Sequence, residues 1–173
     1  MRTPSLQLWL VIVGLVGGAA HAAIPEYLMK ATYLYNFMVF TEWPNTDPAA
    51  ATEPLNLCVI GQDNFGSALD TLEGKSANGR RIEVSRLSSR VSVRKCHLLF
   101  IAEKEATNMP AIQTAIGDAA VLTVADTPAA SGATIMLSLD GKRLVFDVNM
   151  QRAKKSGLTL SSKLLQLARS TSQ

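Results

Sequence analysis

The segment LMKATYLYNFMVFTEW, residues 28–43, decides the fold of this chain, and Pro44 ends it. Eleven of its sixteen residues are apolar, and neither Gly nor Pro interrupts it. Pro25 stands where a first-turn proline opens a helix, so the pattern predicts a helix over 28–43. Its apolar residues surround nearly the whole circumference, whereas one core-facing stripe needs only about 100°. The helix is therefore expected either to be buried in its own domain or to contact a second copy or a partner. The aromatic residues concerned are Tyr33, Phe37, Phe40 and Trp43.

The first 22 residues have the composition of an export signal. Arg2 is the only charged residue before Glu26, and an uninterrupted run of thirteen apolar and glycine residues spans 8–20. Ala20-His21-Ala22 supplies the small-x-small pattern of a signal peptidase site, so cleavage is predicted before Ala23. A spanning helix needs roughly 20 residues, and an uncleaved anchor is the alternative. The mature chain, 23–173, is expected to be a single periplasmic domain.

The charge balance of this mature chain does not favour nucleic acid as a partner. Residues 23–173 carry 16 Lys and Arg against 14 Asp and Glu, and no basic run is longer than two residues. The two cysteines, Cys58 and Cys96, both lie in the exported portion. An even number of cysteines in an oxidising compartment predicts one disulfide bond between them.

Strands and helices alternate along the mature chain. Apolar runs and alternating patterns predict strands at 55–61, 80–87, 97–102 and 121–124 and a hairpin of 134–139 with 144–148 around Asp140-Gly141. Helices are predicted at 65–72, from Thr107 or Asn108 to Gly117, at 150–155 and at 161–168. This order predicts an α/β fold in which a mostly parallel sheet, with a late antiparallel hairpin, is covered on both sides.

Catalytic and cofactor motifs are not found in the sequence. His97 is the only histidine after the leader, and it follows Cys96, whose side chain would point to the other face of the same strand. Gly74-Lys75-Ser76 resembles the end of a P-loop, but Leu69 stands where that motif needs its first glycine. No spacing of His and Cys suits a metal. We therefore expect a protein without enzymatic activity, metal or cofactor.

Two distinctive patterns lie at the ends of the mature chain. The first is KAxYxYNFxxFxxWP over 30–44, and the second is FxxNxxxAxxxGLxxSSxLLxLA over 146–168. Together they resemble the signatures of the YfiR family, and the similarity extends over essentially the whole mature chain. The resemblance implies a three-layer α/β/α sandwich with a Rossmann-like sheet and a homodimer. Cys58 and Cys96 match one family disulfide, whereas a second family pair is missing because residues 135–149 contain no cysteine.

The resemblance also implies a function. YfiR-like proteins repress an inner-membrane diguanylate cyclase of the YfiN type by binding its periplasmic sensor domain, and an outer-membrane OmpA-like lipoprotein of the YfiB type sequesters them. The expected function is therefore a periplasmic regulator that lowers cyclic-di-GMP. Two alternatives stay open, a periplasmic module that senses a small ligand and signals to a membrane sensor kinase, and a hydrolase with an unusual site.

The predicted partner-facing surface lies between residues 147 and 167. Charged Asp147, Arg152, Lys154 and Lys155 stand there beside apolar Leu158 and Leu160. That mixture is typical of a polar rim around an apolar anchor. The proposed contact residues are Asp147, Arg152, Leu158 and Leu160, and the alternative is that this segment only closes the fold.

Overall fold

The computed structural model describes residues 25–44 and 52–172. The predictions for residues 1–22, and for most of the loop 45–54, lie outside the described residues. The α-helices are α1 Glu26–Val39, α2 Ser67–Asp70, α3 Met109–Ile116, α4 Met150–Lys155 and α5 Ser162–Leu167. Short 3-10 helices occupy Arg90–Lys95, Glu103–Asn108 and Pro128–Ala130. The strands are β1 Thr41–Glu42, β2 Leu55–Ile60, β3 Ser76–Ala77, β4 Arg80–Leu87, β5 Leu98–Ile101, β6 Leu122–Ala125, β7 Ile135–Asp140, β8 Arg143–Asn149, β9 Thr159–Leu160 and β10 Ser170–Ser172.

Eight of these strands form one sheet in the order β10-β8-β7-β6-β5-β2-β4-β3. The central pairs β4–β2, β2–β5, β5–β6 and β6–β7 are parallel, as is the edge pair β8–β10. The β7–β8 hairpin and the short β3–β4 pair are antiparallel. The predicted mostly parallel α/β sheet with a late antiparallel hairpin is therefore confirmed.

Each face of the sheet supports its own core. Alternate residues of β2 and β5 divide between the two faces, as strand geometry requires. Leu57, Val59 and Phe100 belong to the larger cluster, to which α1, α4 and α5 contribute. Cys58, Ile60 and Leu99 belong to the smaller cluster, to which α3 and the 90–95 segment contribute. This arrangement gives the three layers of an α/β/α sandwich.

The first helix ends earlier than its apolar pattern predicts. It stops at Val39, and the chain continues into β1, where Thr41 pairs with Leu160 and Glu42 pairs with Thr159. The ladder formed with β9 competes with the helix for the backbone of 41–42. The local sequence predicts a helix at residues 41–42. Pairing with β9, about 120 residues further along the chain, makes this segment a strand instead.

Two smaller differences concern the lengths of helices. The helix predicted at 65–72 is only the four-residue α2, with turns on either side. The last helix, α5, ends at Leu167, and the chain then turns to add β10 beside β8. The hairpin turn forms as predicted, with Gly141 at a φ of 60°, which favours glycine.

Candidate partner-binding surface

The C-terminal segment is held to the sheet by capped helices. Asn149 ends β8, and its side-chain oxygen accepts a hydrogen bond from the backbone N–H of Arg152 at 2.9 Å, which caps α4. Ser161 caps α5 in the same way through the N–H of Leu164 at 3.2 Å. Both caps satisfy backbone donors at the start of a helix. These two hydrogen bonds fix the starts of α4 and α5 within the C-terminal segment.

Leu158 and Leu160 do not lie on the surface. Their side chains are 6% and 7% exposed and belong to the larger core cluster. The prediction that they form an exposed apolar anchor is wrong, because the backbone of Leu160 pairs with Thr41 in the β1–β9 ribbon and turns this stretch inward. The exposed apolar residue of this part of the chain is Leu167, at 69%.

Asp147 is partly exposed and lies in a small polar cluster at the sheet edge. Its carboxylate accepts hydrogen bonds from Arg169 and from the hydroxyl of Ser170, the latter at 2.7 Å. The Arg169 hydrogen bond is the main reason why the pKa of Asp147 lies below its usual value, and Ser170 adds to the effect. Asp147 therefore stays ionised and fastens β10 to β8, and one side of its carboxylate remains accessible.

Arg152 lies in α4, which follows β8 directly, and it borders a groove. Its Nε donates to the carbonyl of Gly132 at 3.0 Å, and the side chain is half-buried. The groove has a volume of about 630 Å³ and lies between α3 and α4. Arg152 and Lys155 line it on one side and Asp118 on the other. The charge of Arg152 is thus available at a concave part of the surface.

A sheet face that sequence reasoning missed adjoins Asp147. The register places Met136 opposite Asp147 and Ser138 opposite Val145, so these four side chains share one face. All four are only partly buried. Among the described residues the smaller core cluster contains no residue of β8, and Met136 is its only contact from β7. The α3 layer therefore covers this face of β7 and β8 only in part. The alternation of apolar and polar residues in 143–149 is the sequence feature that could have indicated this partly exposed face.

The aromatic residues of α1 and of the turn after it pack within their own chain. Phe37 is fully buried and makes edge-to-face contacts with Tyr33 and Phe146, at ring-centre distances of 5.9 and 5.1 Å. Phe40 and Trp43 are partly buried against the same core. The apolar circumference that motivated a dimer through this helix is thus used inside the fold, and a homodimer stays a prediction.

The predicted disulfide is present. Cys58 in β2 and Cys96 before β5 are joined with a Cα–Cα distance of 5.8 Å. Both residues are 3% exposed and form part of the smaller core cluster. The bond crosslinks the middle of the sheet to the 3-10 segment that precedes β5.

A buried ion pair joins α1 to the carboxyl ends of the central strands. Lys30 Nζ lies 2.6 Å from Asp126 Oδ2, just after β6, and 2.5 Å from Glu26 Oε1. Burial by itself lowers the pKa of Lys30, but the hydrogen bonds to the two carboxylates outweigh burial and hold that pKa above its usual value. The adjacent cleft, which Asp126 lines, has a volume of about 140 Å³. Ligand pockets usually begin at roughly 300 Å³, so the ion pair is better explained as a structural link.

His97, which directly precedes β5, is held in its neutral form. The backbone N–H of Asn56 donates to Nδ1 at 3.0 Å, and Arg80 Nη2 lies 3.0 Å from Nε2. Burial lowers the pKa of His97 to about 4, and the positive charge of Arg80 contributes. The indole N–H of Trp43 donates to the carbonyl of His97 at 3.1 Å.

Acidification is expected to destabilise the protein through His97. Its folded pKa of about 4 lies below the unfolded value near 6.5, so the unfolded state binds the proton first as the pH falls. Stability should therefore decline from about pH 6.5 downward, by up to about 3 kcal/mol at pH 4. Urea unfolding at several pH values measures this slope. His97→Asn keeps an acceptor for the N–H of Asn56 and should make the free energy of unfolding less dependent on pH between pH 6.5 and 5. If the pH dependence is unchanged in this variant, groups other than His97 cause it.

The described residues offer neither a membrane span nor a metal cluster. No described helix is both long and apolar enough to cross a bilayer. Within residues 25–44 and 52–172, no group of three or more His, Cys, Asp or Glu side chains is arranged to hold a metal ion.

Two solved structures resemble this chain, and the first of them supports the fold. A conserved domain protein from Vibrio cholerae O1 biovar El Tor matches with a TM-score of 0.57 at 12% identity, over 84% of this chain and 60% of that one. The ABC domain in complex with L-Trp from Streptococcus pneumonia matches with a TM-score of 0.49 at 10% identity, over 68% and 55%. This chain thus spans about 60% of the length of the Vibrio protein. At such identities the likeness concerns the fold alone.

The family model gives the identity. The model of the YfiR/HmsC-like family matches residues 27–169, which include α1, both core clusters, the disulfide and the C-terminal segment. Both patterns that suggested the resemblance fall within this match or at its edge. The chain belongs to the YfiR/HmsC-like family.

Proposed function

We propose that this protein is a periplasmic repressor of a membrane-bound diguanylate cyclase, which it binds through the cyclase's periplasmic sensor domain. Membership of the YfiR/HmsC-like family supports a periplasmic regulator of such cyclases. The buried Cys58–Cys96 disulfide suits an oxidising compartment. In this proposal, residues 1–22 direct export and are removed before Ala23.

The partly exposed face of β7 and β8 is the observation that carries the proposal. Met136 and Val145 supply partly exposed apolar surface there, and Asp147 with Arg169 supplies charge beside it. A sheet face with partly exposed apolar residues inside a polar rim suits a protein partner. We define the partner face as Met136, Val145, Asp147 and Arg152.

The charge of this region indicates which kind of partner it suits. Residues 147–173 contain five basic residues and one acidic residue, Asp147. Of the basic residues, Lys154, Lys155, Lys163 and Arg169 are exposed, and Arg169 is paired with Asp147. An acidic surface on the sensor domain would complement them and would raise the rate of association. Bound regulator would then favour the inactive arrangement of the cyclase, and release would relieve it. Release by an outer-membrane OmpA-like lipoprotein and assembly as a homodimer belong to the same proposal.

Two substitutions on the partner face test the repression. Val145→Lys and Arg152→Glu should leave the circular dichroism spectrum unchanged, because both side chains are partly exposed. Each should weaken binding to the sensor domain at least about tenfold and raise cellular cyclic-di-GMP towards the level of a deletion strain. Val91→Lys, at a residue 87% exposed and distant in sequence, is the matched control and should repress normally.

The outcomes separate the surface from the function. If both variants fold and repress like the control, the partner face lies elsewhere on the molecule. If complete deletion leaves cyclic-di-GMP unchanged, the repressor function fails and the ligand-sensing alternative replaces it. Leu158→Asp is unsuitable for this test, because a buried carboxylate at Leu158 would unfold the protein whatever it binds.

A further inference from the structure

The turn between β3 and β4 contains the only Asn-Gly pair of the chain. Seven asparagines occur in the sequence, and Asn78 alone is followed by glycine. Asn78 and Gly79 form the two-residue loop between the paired residues Ala77 and Arg80, with φ values of 52° and 77°. Tight hairpin turns of this kind favour Asn-Gly. The same pair is chemically reactive, because a glycine has no side chain that hinders attack of its nitrogen on the asparagine before it.

The backbone nitrogen of Gly79 is open to this reaction. Both turn residues are exposed. A Cβ atom placed on Gly79 would meet no other atom within 4 Å, so the space beside its Cα is free. Within the described ranges, no residue accepts a hydrogen bond from the Gly79 N–H. A base in solution therefore has access to this N–H.

The side-chain amide of Asn78 links the turn to the end of α1. Its Nδ2 donates to the carbonyl of Met38 at 3.2 Å and to that of Thr41 at 3.0 Å. The last carbonyls of a helix lack partners inside the helix, and the last turn of α1 has no basic residue that could donate to them. Thr41 lies in β1, which pairs with β9. One amide group thus joins the β3–β4 hairpin both to α1 and to the β1–β9 ribbon.

We infer that Asn78 is a site of spontaneous deamidation, and that the reaction breaks this link. A base removes the proton from the Gly79 nitrogen, which forms a bond to Cγ of Asn78. The bond from Cγ to Nδ2 breaks, and the amide nitrogen takes up a proton and leaves as ammonia. Water then opens the succinimide ring at either carbonyl, which leaves aspartate or isoaspartate at residue 78. The net reaction consumes water and releases ammonia.

The product can make neither of the two hydrogen bonds. A carboxylate only accepts, and it places a negative charge beside the carbonyl oxygens of Met38 and Thr41. Both carbonyls lose their donor, which is unfavourable for partly buried groups. The end of α1 and the β1–β9 ribbon should therefore open more often. This modification goes beyond repression of a cyclase, and it is tested without any cyclase.

Incubation of the folded protein, purified from the periplasm, in mildly alkaline buffer tests the chemistry. Peptide mapping by mass spectrometry should show the mass change from amide to acid at Asn78 sooner than at any other asparagine, because none of the others precedes glycine. Aspartate and isoaspartate should both appear at residue 78. Protein incubated in urea is the control, in which the turn is unfolded. If Asn78 stays intact in the folded protein while it converts in urea, or if another asparagine converts first, the inference is overturned.

Asn78→Asp tests the structural consequence. It should lower the Tm by about 4–10 °C, because two hydrogen bonds are lost and a charge is added. Backbone amides of 38–43 and 158–161 should exchange hydrogen faster than in the wild type, whereas those of the hairpin 135–149 should exchange at the same rate. If the variant does not fold, deamidated wild type gives the same measurements after separation by anion exchange.

Asn64→Asp is the matched control for this variant. Asn64 is also exposed, and its amide donates to the hydroxyl of Tyr27 at 3.1 Å. That hydroxyl can donate to the new carboxylate instead, so the Tm and the exchange rates should stay near those of the wild type. If Asn78→Asp, or the deamidated wild type, behaves like this control, the amide of Asn78 does not hold α1 and the ribbon, and the structural part of the inference fails.

Discussion

Replacing Lys30 by methionine is expected to lower the free energy of unfolding by about 3–5 kcal/mol. Lys30 is the ion-pair partner of Asp126, whose side chain is only 9% exposed. The substitution leaves that carboxylate buried without its cation, and the cost of an unpaired buried charge exceeds what the methionine side chain gains by packing. Urea denaturation followed by circular dichroism measures the change.

A double-mutant cycle makes this expectation specific to the pair. Lys30→Met with Asp126→Leu removes both charges and should recover most of the lost stability, because no charge remains buried. Arg81→Met at the exposed Arg81–Glu83 pair, 3.3 Å apart with side chains 68% and 42% exposed, is the control and should cost less than about 1 kcal/mol. If Lys30→Met costs no more than this control, the buried pair is not a structural link.

Removing the disulfide is expected to have a comparable effect. Replacing Cys58 and Cys96 together by alanine should lower the free energy of unfolding by about 4 kcal/mol, because the bond closes a loop with a sequence separation of 38. For a chain of this size, that change corresponds to a fall in Tm of about 8–16 °C. Both sites are buried in the smaller core cluster, so any lost packing adds to the effect.

Reduction of the wild-type protein provides the control for this prediction. Thermal unfolding with dithiothreitol should lower the Tm of the wild type towards that of the double variant and leave the variant unchanged. The single substitution Cys58→Ser should also lower the Tm, through loss of the crosslink and a polar hydroxyl in the core. A wild-type Tm that reductant does not alter would contradict a stabilising role for the bond.

Much of the fold could be predicted from local patterns. The continuous apolar runs at 55–60, 98–101 and 122–125 are parallel strands buried on both faces, as such runs indicate. The Asp140-Gly141 turn and the caps Asn149 and Ser161 lie where their residue types favour them. These features depend on neighbours within a few residues, which the sequence displays directly.

The candidate surface could be predicted only in part. Asp147 and Arg152 are accessible, as expected from their charge, but Leu158 and Leu160 are buried. In a stretch without clear periodicity, apolar character does not indicate on which side of the chain the core lies. The β1–β9 pairing decides it, and that pairing joins residues far apart in sequence.

The sequence by itself determined the order of the central strands and the helices between them, predicted the export signal and the pairing of its two cysteines, and showed the resemblance to the family. Only the tertiary structure decided which charges meet and which surfaces stay open. Lys30 and Asp126 are 96 residues apart and form one ion pair. Thr41 and Arg80 line one cavity although they belong to different strands. The physical reason is that helix capping, turn formation and hydrophobic periodicity act between near neighbours, whereas strand pairing, packing and desolvation depend on elements that the topology of the sheet brings together.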